Sequence, residues 1–261
     1  MQALKRRVAI VTGSTSGIGL GIAEALAAAG SNLVINGFGA TDAIEATRQR
    51  LAASGVQVIH HAADVGKPGE VAALVHTATR TFGKVDILVN NAGIQHVAAV
   101  QAFPEEQWDR IIAINLSAAF HATKAVLPQM LERNWGRIIN IASVHGLVAS
   151  PFKAAYVAAK HGIVGLTKVV ALETAKTRVT CNAICPGWVL TPLVDEQIRD
   201  RAAAQGATYD TAKLELLAEK QPSREFTTTA EIAGLAMFMC SDSAAQMRGQ
   251  AVALDGGWTA Q

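Results

Sequence analysis

Strand-like and helix-like stretches alternate along this chain from one end to the other, and that rhythm limits the fold more than any other feature. Arg7 to Thr12 is a continuous, largely β-branched apolar run, the pattern of a strand buried on both faces. Helical spacing follows from Gly17 to Ala29, with Gly30 as a stop. Further strands are predicted at 32–36, 57–60, 85–89, 137–141, 179–184 and 251–254. Helices are predicted between them at 43–53, 68–82, 105–130 (one or two) and 154–175. No linker, charge block or repeat divides the chain, so residues 1–261 are read as one α/β domain. Its expected core is a doubly wound parallel sheet of about seven strands with helices on both faces. Only 190–226 breaks the rhythm. It is polar, helical in pattern and inserted before the last strand, which suggests a lid over a binding site.

Composition narrows the function classes. Half the residues are hydrophobic and the net charge is +2, so one extensive core is possible and no nucleic-acid surface is expected. The one basic cluster, Lys5-Arg6-Arg7, suits a solvated edge. No uninterrupted apolar run approaches the ~20 residues that span a bilayer. The segment before Val8 is too short and polar for a signal peptide. A cytoplasmic protein without a membrane partner is expected. Cys181, Cys185 and Cys240 are odd in number and form no Cys-x-x-Cys, so they are taken as small core residues. His60 and His61 are adjacent and would point to opposite faces of a strand, and no Cys/His cluster occurs elsewhere. No metal is expected.

Between the first strand and first helix runs Thr12-Gly13-Ser14-Thr15-Ser16-Gly17-Ile18-Gly19. Glycines at such a junction let the backbone turn tightly and approach a pyrophosphate, and the helix start supplies free N–H groups. Their G-x-x-x-G-x-G spacing resembles the short-chain dehydrogenase/reductase family, a Rossmann-type group of nicotinamide enzymes. Asn90-Asn91-Ala92-Gly93 resembles its N-N-A-G motif, and Asp64 its adenine-contacting acid. Pro186-Gly187 resembles its nicotinamide-side turn, and the likeness covers essentially the whole chain. It implies cofactor contacts from Gly13, Thr15, Ser16, Gly17, Ile18 and Gly19. It adds Phe38, Asp64 and Val65, then Asn91, Ala92 and Gly93. On the nicotinamide side it implies Tyr156, Lys160, Pro186, Gly187, Val189 and Thr191. Neither Ser16 nor Asn36-Gly37-Phe38-Gly39 carries a cation to meet a 2′-phosphate, so NAD is expected over NADP, although the acid usual in NAD enzymes is also missing.

Asn115, Ser143, Tyr156 and Lys160 match the family's catalytic positions. Tyr156 and Lys160 are i and i+4, on one side of a helix. A nearby ammonium is expected to lower the phenol's pKa and make it a usable general base. Ser143 can bond the reacting oxygen, and Asn115 can hold a water that passes the proton onward.

The substrate loops resemble one branch of that family, the bacterial D-3-hydroxybutyrate dehydrogenases. The matching stretches include Asn90 to His96, Ser143 to Ser150, Cys185 to Val189, Glu219 to Ser223 and Asp255 to Ala260. The resemblance implies that Gln95, His145, Lys153 and Gln197 hold a small carboxylate, beside Ser143 and Tyr156, with Trp188 walling off the methyl end. His96 and Trp258 are left to packing. Pro151-Phe152 departs from the branch's pattern, which is smaller and more polar there. The implied reaction is reversible oxidation of D-3-hydroxybutyrate to acetoacetate, in a homotetramer. The alternatives are a reductase of 3-oxoacyl thioesters, a dehydrogenase of another small hydroxy acid, or a non-catalytic nucleotide-binding protein.

Overall fold

The computed structural model describes residues 4–261. Seven strands form one sheet: β1 (Val8–Val11), β2 (Asn32–Asn36), β3 (Val58–His61), β4 (Ile87–Asn90), β5 (Gly136–Ile141), β6 (Val179–Pro186) and β7 (Ala251–Leu254). Their order is β3-β2-β1-β4-β5-β6-β7, and every pair is parallel. The winding reverses between β1 and β4, which opens a crevice beyond their carboxyl ends. The helices are α1 (Gly17–Ala28), α2 (Thr41–Ala52), α3 (Pro68–Phe82), α4 (Glu105–Ile112), α5 (Ala118–Glu132) and α6 (Ala154–Glu173). They continue with α7 (Pro192–Gln205), α8 (Tyr209–Lys220) and α9 (Thr229–Cys240).

Two apolar layers explain the unbroken hydrophobic runs. Ala9, Val11, Leu33, Ile35, Ile87 and Val89 pack with residues of α1 and α9. Their neighbours in sequence, Ile10, Val34 and Leu88, point the other way and pack with α3 and α5. With period-two alternation and helices on both faces, the central positions of β1, β2 and β4 are apolar on both sides, while β5 and β6 also bury polar Arg137, Asn140, Thr180 and Asn182. Cys181, Cys185 and Cys240 are buried and free within this core.

Several expectations change. Helix α9 lies in a stretch, 227–250, to which no helix was assigned. Its capping box, with Thr228 and Glu231 bonded reciprocally, was the available signal. The 190–226 excursion holds two helices, α7 and α8. The helical run 105–132 is continuous but passes through a π-helical turn, Ala113–Ser117. Arg7 is not simply solvated: its guanidinium lies 3.5 Å from the centre of the Trp135 ring and 3.4 Å from Asp86. Taken as helices rather than uninterrupted apolar runs, Glu105–Glu132 and Ala154–Glu173 are long and apolar enough to cross a membrane. Here their apolar sides pack into the core. Among the described residues, no group of three His, Cys, Asp or Glu side chains is placed to hold a metal ion.

Candidate active site

The loop after β1 is folded hard against the end of β4. Gly13 and Gly17 have φ of 61° and 55°, and a Cβ on Gly13 would sit 2.9 Å from Cα of Ala92. Gly19 lies beneath the turn, where a Cβ would come 2.3 Å from the Gly13 carbonyl oxygen. Asn91 donates its amide to the carbonyls of Thr12 and Gly13, both at 2.9 Å. Thr12 Oγ1 returns two acceptances, from the backbone N–H of Asn91 and Ala92. Asn36 ties in the neighbouring loops, donating to the carbonyls of His61 and Ala63 and accepting from Gly13 N–H. Ser16 caps α1 by backbone only, so the first-turn amides keep free hydrogens directed beyond the helix. Such donors suit a diphosphate.

A cleft of about 860 Å³ runs along these carboxyl ends. Over β2 and β3 it is bordered by Phe38, 66% exposed, and by Asp64 and Val65. Asp64 accepts from Gly66 N–H at 3.0 Å. Over β5 and β6 it reaches Ser143, Tyr156 and Lys160. The space, the glycine turn and the free helix donors together fit a dinucleotide.

Tyr156 and Lys160 are one turn apart on α6, and Ser143 lies close enough to Tyr156 to favour its phenolate. Lys160 Nζ donates to the Ile141 carbonyl at 2.7 Å and lies 5.5 Å from the centre of the Tyr156 ring. Burial holds the Lys160 ammonium down to about 8. Burial also raises the Tyr156 phenol above its ordinary value, against the opposing pull of Ser143. The net direction for the phenol is upward: burial dominates, and the ammonium donates to the Ile141 carbonyl rather than to the phenol. Asn115 sits in the π-helical turn and is buried. Its amide oxygen accepts from Ile94 N–H and its nitrogen donates to the Ile94 carbonyl, both at 2.9 Å. The side chain thus braces the loop after β4.

His145 lies between two hydroxyls, with Nε2 2.9 Å from Ser150 Oγ and Nδ1 3.4 Å from Ser143 Oγ. Its ring meets those of Tyr156 and Trp258 edge-on, at 5.9 and 5.4 Å between centres. Burial, reinforced by the positive charges of Lys153, Lys220 and His161, pushes its pKa down to about 4, leaving a neutral imidazole at neutral pH. Lys153 Nζ lies 4.9 Å from the centre of the Trp188 ring. Burial alone pulls Lys153 down to about 8, with no acidic partner to offset it. Gln95 accepts from the Gln197 amide at 3.4 Å, while its own amide nitrogen is buried without a partner. The Trp188 indole N–H is likewise buried and unpartnered.

Every residue expected at the site from the sequence borders the cleft except Gly19, Asn115 and Gln197. Gly19 underlies the turn, Asn115 braces Ile94 and Gln197 reaches the cleft through Gln95. Trp258, assigned to packing, does border it and lies between His145 and Trp188. Its position after Asp255-Gly256-Gly257, just beyond β7, was the available signal. Gln221 was named only within a matching stretch, yet it holds both ends of the excursion together. Its side chain accepts from Trp188 N–H at 2.8 Å and donates to the Glu225 carbonyl.

The fold, the glycine turn and the Ser-Tyr-Lys cluster are those of a short-chain oxidoreductase. The family model for short chain dehydrogenases matches residues 7–202, and the chain belongs to that family, whose dehydrogenases use a nicotinamide cofactor. A D-beta-hydroxybutyrate dehydrogenase of Cupriavidus necator is 58% identical over 99% of this chain and 100% of its own. One from Rhizobium meliloti is 55% identical over 98% and 99%. Among solved structures, an actinorhodin polyketide ketoreductase variant with NADPH superposes with a TM-score of 0.91 at 36% identity, covering 99% of this chain and 98% of that one.

Proposed function

We propose that this chain is an NAD-dependent D-3-hydroxybutyrate dehydrogenase, interconverting the hydroxy acid and acetoacetate. The observation that carries the reading is the half-buried ammonium of Lys153 on Trp188, with no acidic partner among the described residues, beside neutral His145 and the Gln95–Gln197 pair. A desolvated cation without a counter-charge is costly, and a substrate carboxylate would supply the missing charge. The unpartnered Gln95 amide is a second donor for the same oxygens. A thioester presents no such charge and would leave Lys153 unanswered. The names of the two bacterial relatives support the same substrate.

The dinucleotide would lie on the first-turn amides of α1 and in the Asn91–Gly93 and Pro186–Thr191 loops. When bound, it accepts or donates the hydride. Tyr156 takes the hydroxyl proton as the carbonyl forms, and Ser143 bonds the same oxygen and holds it against Tyr156. Lys160 lies close enough to favour the phenolate electrostatically once the local polarity rises. Asn115 fixes the backbone of the loop after β4 against the π-helical turn. NAD over NADP is supported by the neutral Asn36–Gly39 segment, whose one polar side chain is already bound to two carbonyls. The excursion between Trp188 and Thr227 serves as a substrate lid. A homotetramer is supported by exposed Val169 and Leu172 on α6. The test is NAD reduction with D-3-hydroxybutyrate against its methyl ester and 2-butanol. The acid should be preferred by at least about tenfold in kcat/KM; equal use of the uncharged alcohols would overturn the reading.

A further inference from the structure

Residues Ser150-Pro151-Phe152-Lys153 form a turn with an unusual third member. Phe152 has φ of +67°, a left-handed conformation that glycine and asparagine take readily and a bulky side chain does not. Proline second and a left-handed residue third is the pattern of a type II turn. The phenyl ring does not repay this conformation by packing, since Phe152 is 55% exposed. Backbone held this way at a site's edge needs to be fixed by its surroundings.

The surroundings are specific. The Phe152 carbonyl accepts from Ala98 N–H at 2.9 Å, and Lys153 forms a parallel bridge with Ala98. The turn is thereby fastened to the loop after β4, which also carries Gln95. At its first position, Ser150 holds His145 Nε2. At its fourth, Lys153 starts α6 and sends its ammonium over Trp188. One four-residue turn thus carries, at its two ends, the hydroxyl that orients the imidazole and the ammonium itself.

We propose that the Ser150–Lys153 turn is a positioning device that sets the spacing of His145 and Lys153, with Phe152 held left-handed for that purpose. The inference rests on the carboxylate reading of this site. Phe152 touches no reacting atom; it acts through the backbone.

The test uses Phe152→Val, which a β-branched side chain makes hostile to positive φ, with Phe152→Gly and Phe152→Asn as variants that permit it. Steady-state kinetics with D-3-hydroxybutyrate and with 2-butanol, thermal melts and an NMR titration of His145 are measured for each. Phe152→Val should raise KM for the acid about tenfold while leaving kinetics with 2-butanol and KM for NAD unchanged. Phe152→Gly and Phe152→Asn should keep the wild-type KM, and Phe152→Asn should melt no lower than wild type. In Phe152→Val the His145 titration should rise from about 4 as the Lys153 charge recedes. Unchanged KM for the acid in Phe152→Val, or an equal rise in Phe152→Gly, would overturn the proposal. If wild type uses 2-butanol as well as the acid, the substrate reading fails instead. The His145 titration then still decides the turn: an unmoved value in Phe152→Val overturns it.

Discussion

The ammonium of Lys153 rests 4.9 Å from the centre of the Trp188 ring, so a cation at the start of α6 lies on an indole at the root of the excursion. The ring face offers a cation some of what water would, but no counter-charge. Lys153→Met keeps the stem and removes the charge. It should cut kcat/KM for the acid by at least about tenfold and leave NAD binding intact. The same change should stabilise the free protein, because a half-buried cation held below its ordinary pKa by desolvation is removed. Each 1 kcal/mol regained is worth about 2–4 °C in a chain of this size. Kinetics and a thermal melt check both halves.

Lys153 also predicts a pH dependence. Its folded value is about 8, below the ordinary 10.5, so the free enzyme loses this charge as pH rises through about 8. kcat/KM for the acid should fall there, while kcat should not, since a bound carboxylate restores the proton. Lys153→Arg should move the falling limb to higher pH. For stability the sign is opposite. Between about 8 and 10.5 the unfolded chain holds a proton the folded one has shed, so stability rises with pH across that window. Urea unfolding at several pH values should show this rise reduced in Lys153→Met.

Tyr156→Phe removes one hydroxyl from a packed ring. Turnover should fall by about 10²–10⁴ while the protein folds and binds NAD normally. Because burial holds the phenol high, Lys160→Ala should also be severe, with remaining activity displaced to higher pH. Rate–pH profiles of both variants provide the check.

NAD should support turnover far better than NADP at equal concentration. Adding a cation at the end of β2, as in Phe38→Arg, should narrow that gap. Phe38 is largely exposed, so the exchange should not disturb the core.

The excursion is stitched into a unit of its own. Tyr209 donates to Asp195 at 2.6 Å, and Arg201 pairs with Glu219, joining α7 to α8. One tie to the cleft is the Gln197–Gln95 contact at 3.4 Å, and Thr191, Pro192 and Val194 border the cleft directly. Hydrogen exchange should show α7 and α8 gaining protection together when NAD and substrate are both bound. Protection unchanged across 190–226 would count against a lid.

How much of this was visible in the sequence depends on the kind of force involved. A central parallel strand buried on both faces favours apolar residues throughout, so Val8–Val11 declared itself, and the short apolar run of the edge strand Ala251–Leu254 was legible although it is only half-buried. The Tyr156–Lys160 pair was legible because i,i+4 spacing on a helix fixes its own geometry, and the roles proposed for it came from resemblance to the short-chain dehydrogenase/reductase family. Helix α9 is nearly uniformly apolar and follows a polar excursion, so its clearest mark in the sequence is the Thr228–Glu231 cap rather than a periodic pattern. The upward pull of burial on the Tyr156 phenol was not legible, because spacing reports proximity, not burial. Trp258 needed the tertiary fold to bring the end of the chain over His145. The left-handed Phe152 could not be read from its own side chain, which argues against that conformation; only Pro151 before it hinted at a turn.

Gln221 has a consequence beyond this substrate. One buried amide, with the Thr227 N–H bond to the Trp188 carbonyl at 2.9 Å, closes the excursion at its base, so what lies between is anchored without help from its own composition. Such a base behaves like the frame of a cassette. Helical hairpins of other lengths and pocket chemistries should be exchangeable between Pro192 and Lys220, inside that frame, while the cleft below keeps its geometry, so the chain could be retargeted by replacing about a ninth of its length.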